Sequence, residues 1–313
     1  MDEIDKTTRI ENAVNLFIEK ENGFETRYNS WVYCHSFFKT LYQNNKSKKY
    51  KELTEVDKKL SLLNLAFYLA SWGMYRGSSF VLQYDYKIFK NIISIILNEK
   101  YDMLWDIDYQ RIKNNKKMVV NLLSEISREI CNNLKKVHDF STTKSKILPD
   151  KKAESDENKN EAIVSQTLTT KILLGTLCCC PAYDTFFKKS IGGSCNDFYN
   201  KNKIDKLLNL IISNEDLFTQ LIKDTNEKYP LMKVVDMAYF TMGLEEDFKK
   251  LYDKYIVKEE KITDKNLKEI IKCLKMFYCK INDDDKYELR VTFDCDKNKI
   301  DNFIKKNGIK VRE

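Results

Sequence analysis

In the stretch "SWGMYRGSSF", Ser71–Phe80, an indole, a guanidinium and several hydroxyls follow directly on the apolar run "LSLLNLAFYLA". Trp72, Arg76 and Ser78 are candidate ligand-binding residues there. If Ser78 or Ser79 caps a following helix, the free N–H groups of its first turn and the Arg76 guanidinium together favour an anion such as a phosphate. The same residues also fit a tight helix–helix turn, with Arg76 pairing with an internal carboxylate such as Asp85. In "KILLGTLCCCPAYDTFF", Lys171–Phe187, Tyr183 is a candidate ligand contact and Asp184 a candidate acid or base. The plainer reading of Asp184 is a carboxylate favoured by the dipole at a helix start. In "KYPLMKVVDMAYFTMG", Lys228–Gly243, Lys233 and Asp236 stand three apart on one helix face and form a candidate catalytic pair. On a surface that spacing gives a minor ion pair. In an interior both charges need partners, and Arg76 or Asp184 would supply them.

A fourth stretch, "RYNSWVYCHSFF", Arg27–Phe38, carries Tyr28, Trp31, Tyr33, Phe37 and Phe38, too many rings for one narrow helical stripe. It reads as core packing or as a surface on which nucleobases stack beside Arg27. Common catalytic signatures are missing: no Walker-type loop, no G-x-G-x-x-G and no G-x-S-x-G elbow. The chain has two histidines, His35 and His138, and neither lies near a nucleophile block. An all-helical base-excision glycosylase offers a comparison for Asp184, since such enzymes use an aspartate and a pocket for a flipped base. The L-P-G-x-G-x-K hairpin expected with it is missing. "CCC" at Cys178–Cys180 does not form the C-x-x-C pairs of a zinc site, so these thiols read as small apolar residues. No metal and no cofactor are expected.

Helices must position these residues. With 8 glycines and 3 prolines in 313 residues, the chain suits long helices far better than a many-stranded sheet. Periodicity places helices near 7–20, 30–43, 54–72, 84–98, 115–138, 164–178, 201–212, 214–226, 231–241, 246–257 and 264–278. The helix ending in "LAFYLASW" is apolar nearly all round and is expected at the centre, with Gly73 ending it in a left-handed conformation. Gly175, inside an apolar helix, is expected to permit close helix packing. Residues 143–163 are densely charged, lack aromatics and contain Pro149, which marks a linker or insertion. After residue 257 the pattern changes again: "KYELRVTFDCD" alternates with period two, and the tail reads as strand, short helix, strand. The expected fold is mainly α: a multi-helix bundle over 1–257 with a small C-terminal α/β appendage over 258–313.

The net charge of +7, from 54 basic and 47 acidic residues, permits DNA or RNA as a partner without requiring either. No run reaches the length of apolar residues a membrane span needs, and the start "MDEIDKTTRIEN" lacks the apolar core of a secretion signal. The expectation is a cytoplasmic protein with no membrane contact and reduced cysteines; its oligomeric state is not legible.

The blocks "YNSWVYCHSFF", "LAFYLASWGMYRGSSFVLQYDYKI", "LLGTLCCCPAYDTFF" and "YPLMKVVDMAYFTMG" resemble those of a widespread family of uncharacterised bacterial helical proteins. The likeness covers about residues 25–245 and leaves out the charged linker and the tail. Where that family often has a glycine within the thiol run, this chain reads "CCC". The resemblance implies accessory or defence-type gene content and a nucleic-acid-related role. The sequence-based expectation is therefore nucleic-acid binding or processing at a polar helical crevice. A non-enzymatic helical interaction module and a small-nucleotide sensor stand as alternatives.

Overall fold

Scarce glycine and proline let helices run long, and nearly all regular structure in the computed structural model is helical. The structure describes residues 3–21, 27–46, 49–76, 79–145, 164–225, 228–280 and 287–309. Helices α1 (Glu3–Glu21), α2 (Asn29–Asn44) and α3 (Glu55–Ser71) open the chain. Short 3-10 turns at Phe80–Gln83 and Tyr86–Phe89 lead into α4 (Lys90–Ile96). The long α5 (Tyr109–Ser145) kinks at Asn115, and α6 (Gln166–Gly175) and α7 (Thr185–Ile191) follow. Next come α8 (Lys201–Ser213), α9 (Glu215–Asp224), α10 (Leu231–Leu251) with a π turn at Tyr252–Val257, and α11 (Asp264–Phe277). Strands β1 (Tyr278–Lys280) and β2 (Tyr287–Leu289) and helix α12 (Lys297–Lys306) complete it. The fold is mainly α, a multi-helix bundle with a small C-terminal α/β appendage. No helix among the described residues is long and apolar enough to cross a membrane.

Two compact units share the chain. One holds residues 27–184 and 194–233; the other holds 1–26, 185–193 and 234–313. In the first unit, α3 packs on α2, α4 and α6, while α5 packs on α4, α6 and α8. The buried rings and aliphatic chains of Trp31, Phe38, Leu65, Leu123, Ile126, Ile172 and Leu208 fill the space between them. Gly175 brings α6 against α3 closely: a Cβ added to it would lie 2.4 Å from the Tyr68 ring.

In the second unit an aromatic cluster holds α1, α7 and α10 together. Phe240 meets Phe17 and Phe186 edge-on, at 6.2 and 5.4 Å between ring centres. Phe248 stacks on Phe277 of α11 at 5.5 Å. The strands pair antiparallel in the register Tyr278–Leu289, Cys279–Glu288 and Lys280–Tyr287. Asp296 caps α12 through the N–H groups of Asn298 and Lys299, and the Tyr278 hydroxyl donates to Asp301 on that helix at 2.9 Å.

Four expectations need correction. The apolar helix α3 is not enclosed: Val56, Leu60, Leu63 and Phe67 lie on one exposed face, whereas α6 is buried at every position from Leu168 to Gly175. The helices expected at 231–241 and 246–257 are one, because Gly243 does not break it. A Cβ there would stand 2.0 Å from the Phe186 carbonyl oxygen, so this glycine permits a close approach. The helix expected over 164–178 ends at Gly175, and the triple-cysteine run follows it as an irregular turn, with Cys178 at φ +50°. In the tail, only three residues of the expected strand pair. The second expected strand, 309–313, lies outside the described residues from 310 on, as do 146–163 of the charged stretch; 143–145 extend α5.

Candidate functional site

Trp72 sits at the C-cap of α3, where Gly73, at φ +77°, lets the chain turn as expected from the sequence. Three cations surround its indole. The Arg27 guanidinium lies 5.1 Å from the ring centre, the Lys171 ammonium 4.7 Å and the Lys233 ammonium 5.8 Å. The negative face of the indole attracts each of them, and more strongly where water is excluded. Tyr28 meets Trp72 edge-on at 5.6 Å, and Arg27 also covers the Tyr28 ring. Arg27 is exposed, but Lys171 and Lys233 are 4% and 1% exposed. A buried ammonium needs compensation. For Lys171 it comes from Asp184, whose carboxylate stands 3.5 Å away, as well as from the indole. Lys233 lies 5.1 Å from the Trp31 ring in addition to Trp72.

Trp31 carries this arrangement on to a second cluster. Its N–H donates to the Leu174 carbonyl at 2.9 Å, and its ring stacks on His35 at 4.9 Å. The two nitrogens of His35 face the Thr176 carbonyl and the Asp106 carboxylate, each at 2.9 Å. Lys39, one turn along α2, closes on the other Asp106 oxygen at 2.7 Å. Burial alone would push the Asp106 carboxyl up, but the hydrogen bonds and charge of His35 and Lys39 outweigh it and hold the group below the usual carboxylate range. Asp106 itself takes the left-handed region, φ +44°, with its N–H bonded to the Leu177 carbonyl. The cluster thus pins α2 to the turn after α6.

The residues expected from the sequence are placed as follows. Trp72, Asp184 and Lys233 belong to one unit: Asp184 is linked to the Trp72 indole through Lys171, and Lys233 meets that indole directly. Arg76 is exposed and folds back over Gly73, where an added Cβ would meet its Nε at 2.4 Å. Its suggested partner Asp85 instead accepts from the Lys87 N–H at 2.6 Å, capping a 3-10 turn, and pairs with the Lys87 ammonium. Ser78 lies outside the described residues. Ser79 precedes a 3-10 turn without a side-chain capping bond, so the expected helix N-terminus is not formed there. The Tyr183 ring is fully buried against Phe198 at 5.1 Å, and burial pushes its phenol well above the usual range. Asp236 is buried one turn beyond Lys233 on α10, in the other compact unit.

Lys171 and the His35–Asp106–Lys39 group were not singled out as site residues in the sequence, and Arg27 only as the neighbour of a stacking surface. Lys171 did carry a signal, being the one cation within the apolar helix "TLTTKILLG". The Asp106 contact spans most of three helices and left none.

Among the described residues, no group of three or more His, Cys, Asp or Glu side chains is placed to hold a metal ion. No protein-family model matches the chain, and neither the curated proteins nor the solved structures searched give a match.

Proposed function

We propose that this protein binds nucleic acid, with a preference for single strands, on the face formed by Arg27, Trp72 and Arg76. The observation that carries this reading is the exposed Arg27 guanidinium set on the Trp72 indole, with the cations of Lys171 and Lys233 behind it. Exposed guanidiniums take phosphate, and the partly exposed rings of Trp72 and Tyr28 offer stacking to an unpaired base. Asp184 serves to hold Lys171, and no side chain is assigned a catalytic step. The block resemblance adds a bacterial, defence-type setting to the same reading.

The test is fluorescence anisotropy with labelled single- and double-stranded DNA and RNA, comparing wild type with Arg27→Ala and Arg76→Ala. Each substitution is expected to weaken single-strand binding by about tenfold, the scale of one charge-assisted phosphate contact. Competition by a mononucleotide at equal concentration would reassign the face to a small nucleotide. Equal binding by both variants and wild type would remove the reading.

One observation favours the alternative of a helical interaction module. Val56, Leu60, Leu63 and Phe67 form a stripe along α3 that is 38% to 65% exposed. An apolar stripe of this kind is characteristic of protein contact surfaces.

A further inference from the structure

In the unit that contains the C-terminal appendage, α1, α10, α11 and the segment after β2 enclose a cleft of about 490 Å³. That volume lies within the range of small-molecule sites. Its walls are unevenly furnished. Leu16, Phe277 and Val291 give an apolar side, while Thr241 and Glu245, one turn apart on α10, give a polar one. Glu245 is only 6% exposed. Its two carboxylate oxygens accept from the backbone N–H and the hydroxyl of Thr292, the latter at 2.7 Å. Two accepted bonds leave part of a carboxylate's hydrogen-bonding capacity unused. Among the described residues no Lys or Arg forms an ion pair with it; the one basic residue lining the cleft, Arg290, is bound to Glu19. Thr241, 2% exposed, lines the same cleft, and its hydroxyl has no hydrogen-bond partner among the described residues.

A buried carboxylate without a counter-charge and a buried hydroxyl without a partner are both costly, and a ligand that supplies a cationic donor relieves both. A divalent metal fits poorly, because it requires several oxygen ligands, and of the two carboxylates lining the cleft Glu19 is already paired with Arg290. We propose that this cleft binds a small organic ammonium: its N–H groups donate to Glu245 and Thr241, and its hydrocarbon part lies against Leu16, Phe277 and Val291. The Phe277 ring adds attraction for the cation.

The test uses the full chain and phenethylamine as probe, with 2-phenylethanol as the uncharged counterpart of the same shape, followed by calorimetric titration. Phenethylamine is expected to bind with a dissociation constant on the order of 1 mM or tighter, at least tenfold better than 2-phenylethanol. Thr241→Val replaces an unpartnered hydroxyl by a methyl and should leave the fold intact while weakening phenethylamine about fivefold. Glu245→Gln should weaken it by more than tenfold. Thr241→Val keeps the test decisive if Glu245→Gln fails to fold. Equal binding of the amine and the alcohol, no binding of phenethylamine, or unchanged affinity in Thr241→Val would each overturn the proposal. Nucleic-acid binding by the Arg27–Trp72–Arg76 face does not enter these outcomes.

Discussion

At the scale of single residues, the polar groups beneath Trp72 are arranged in mutual dependence. Lys171 is buried beside Asp184, so removing one partner takes the counter-charge from the other. Lys171→Met alone, or Asp184→Asn alone, is expected to cost about 2–4 kcal/mol in chemical denaturation, less than the fullest burial would give because Asp184 keeps some solvent. The double variant should cost clearly less than the sum of the two, which a double-mutant cycle measures. Asp106 gives a pH prediction with a definite sign. Its carboxyl is held below the usual range in the folded chain. Its contribution is therefore complete above the ordinary carboxylate value and is lost as pH falls through the lower, folded value. Melting temperatures of wild type and Asp106→Asn should differ near neutrality and converge in strong acid; a constant difference would show that Asp106 acts through packing alone.

At the scale of elements, close approach decides which glycines matter. Gly243 faces the Phe186 carbonyl, a backbone group that cannot swing aside, so Gly243→Ala should cost about 2–3 kcal/mol despite the better helix propensity of alanine. Thermal unfolding monitored by circular dichroism checks it, and a stabilised Gly243→Ala would contradict the packing. The helical class, the turn at Gly73 and the close packing at Gly175 were legible in the sequence because each follows from local conformational preference. The role of Gly243 was not, since a helix-ending glycine and a packing glycine look alike until the opposing backbone is known. Apolar periodicity also misplaced the centre of the bundle. It reports how greasy α3 is, whereas burial depends on how many neighbours surround it, and α6 has more of its circumference covered. At the site, Trp72, Asp184 and Lys233 were legible as residues that stand at helix ends or break an apolar run. Their grouping around the Trp72 indole arises from packing between distant segments, which no local pattern records.

At the scale of the molecule, the two compact units differ in what they present: an exposed guanidinium on an indole in one, a cleft lined by the buried Glu245 carboxylate in the other. The apolar stripe on α3 is a third feature, and it can be separated from the first. Leu60→Glu with Phe67→Glu changes exposed side chains only, so the melting temperature should move by no more than about 2 °C and nucleic-acid affinity should not fall by more than the added negative charge explains. A loss of protein partners in pull-downs, with oligonucleotide binding retained, would assign the stripe to protein contact. The most direct test of the cationic face is the salt dependence of single-strand binding, measured for wild type and for the Arg27→Ala, Arg76→Ala double variant. We expect a log–log slope for wild type that becomes shallower by about 1.4 in the double variant, as follows when two phosphate contacts to a single strand are removed. Identical slopes for the two proteins, or no salt-dependent binding by wild type, would contradict it.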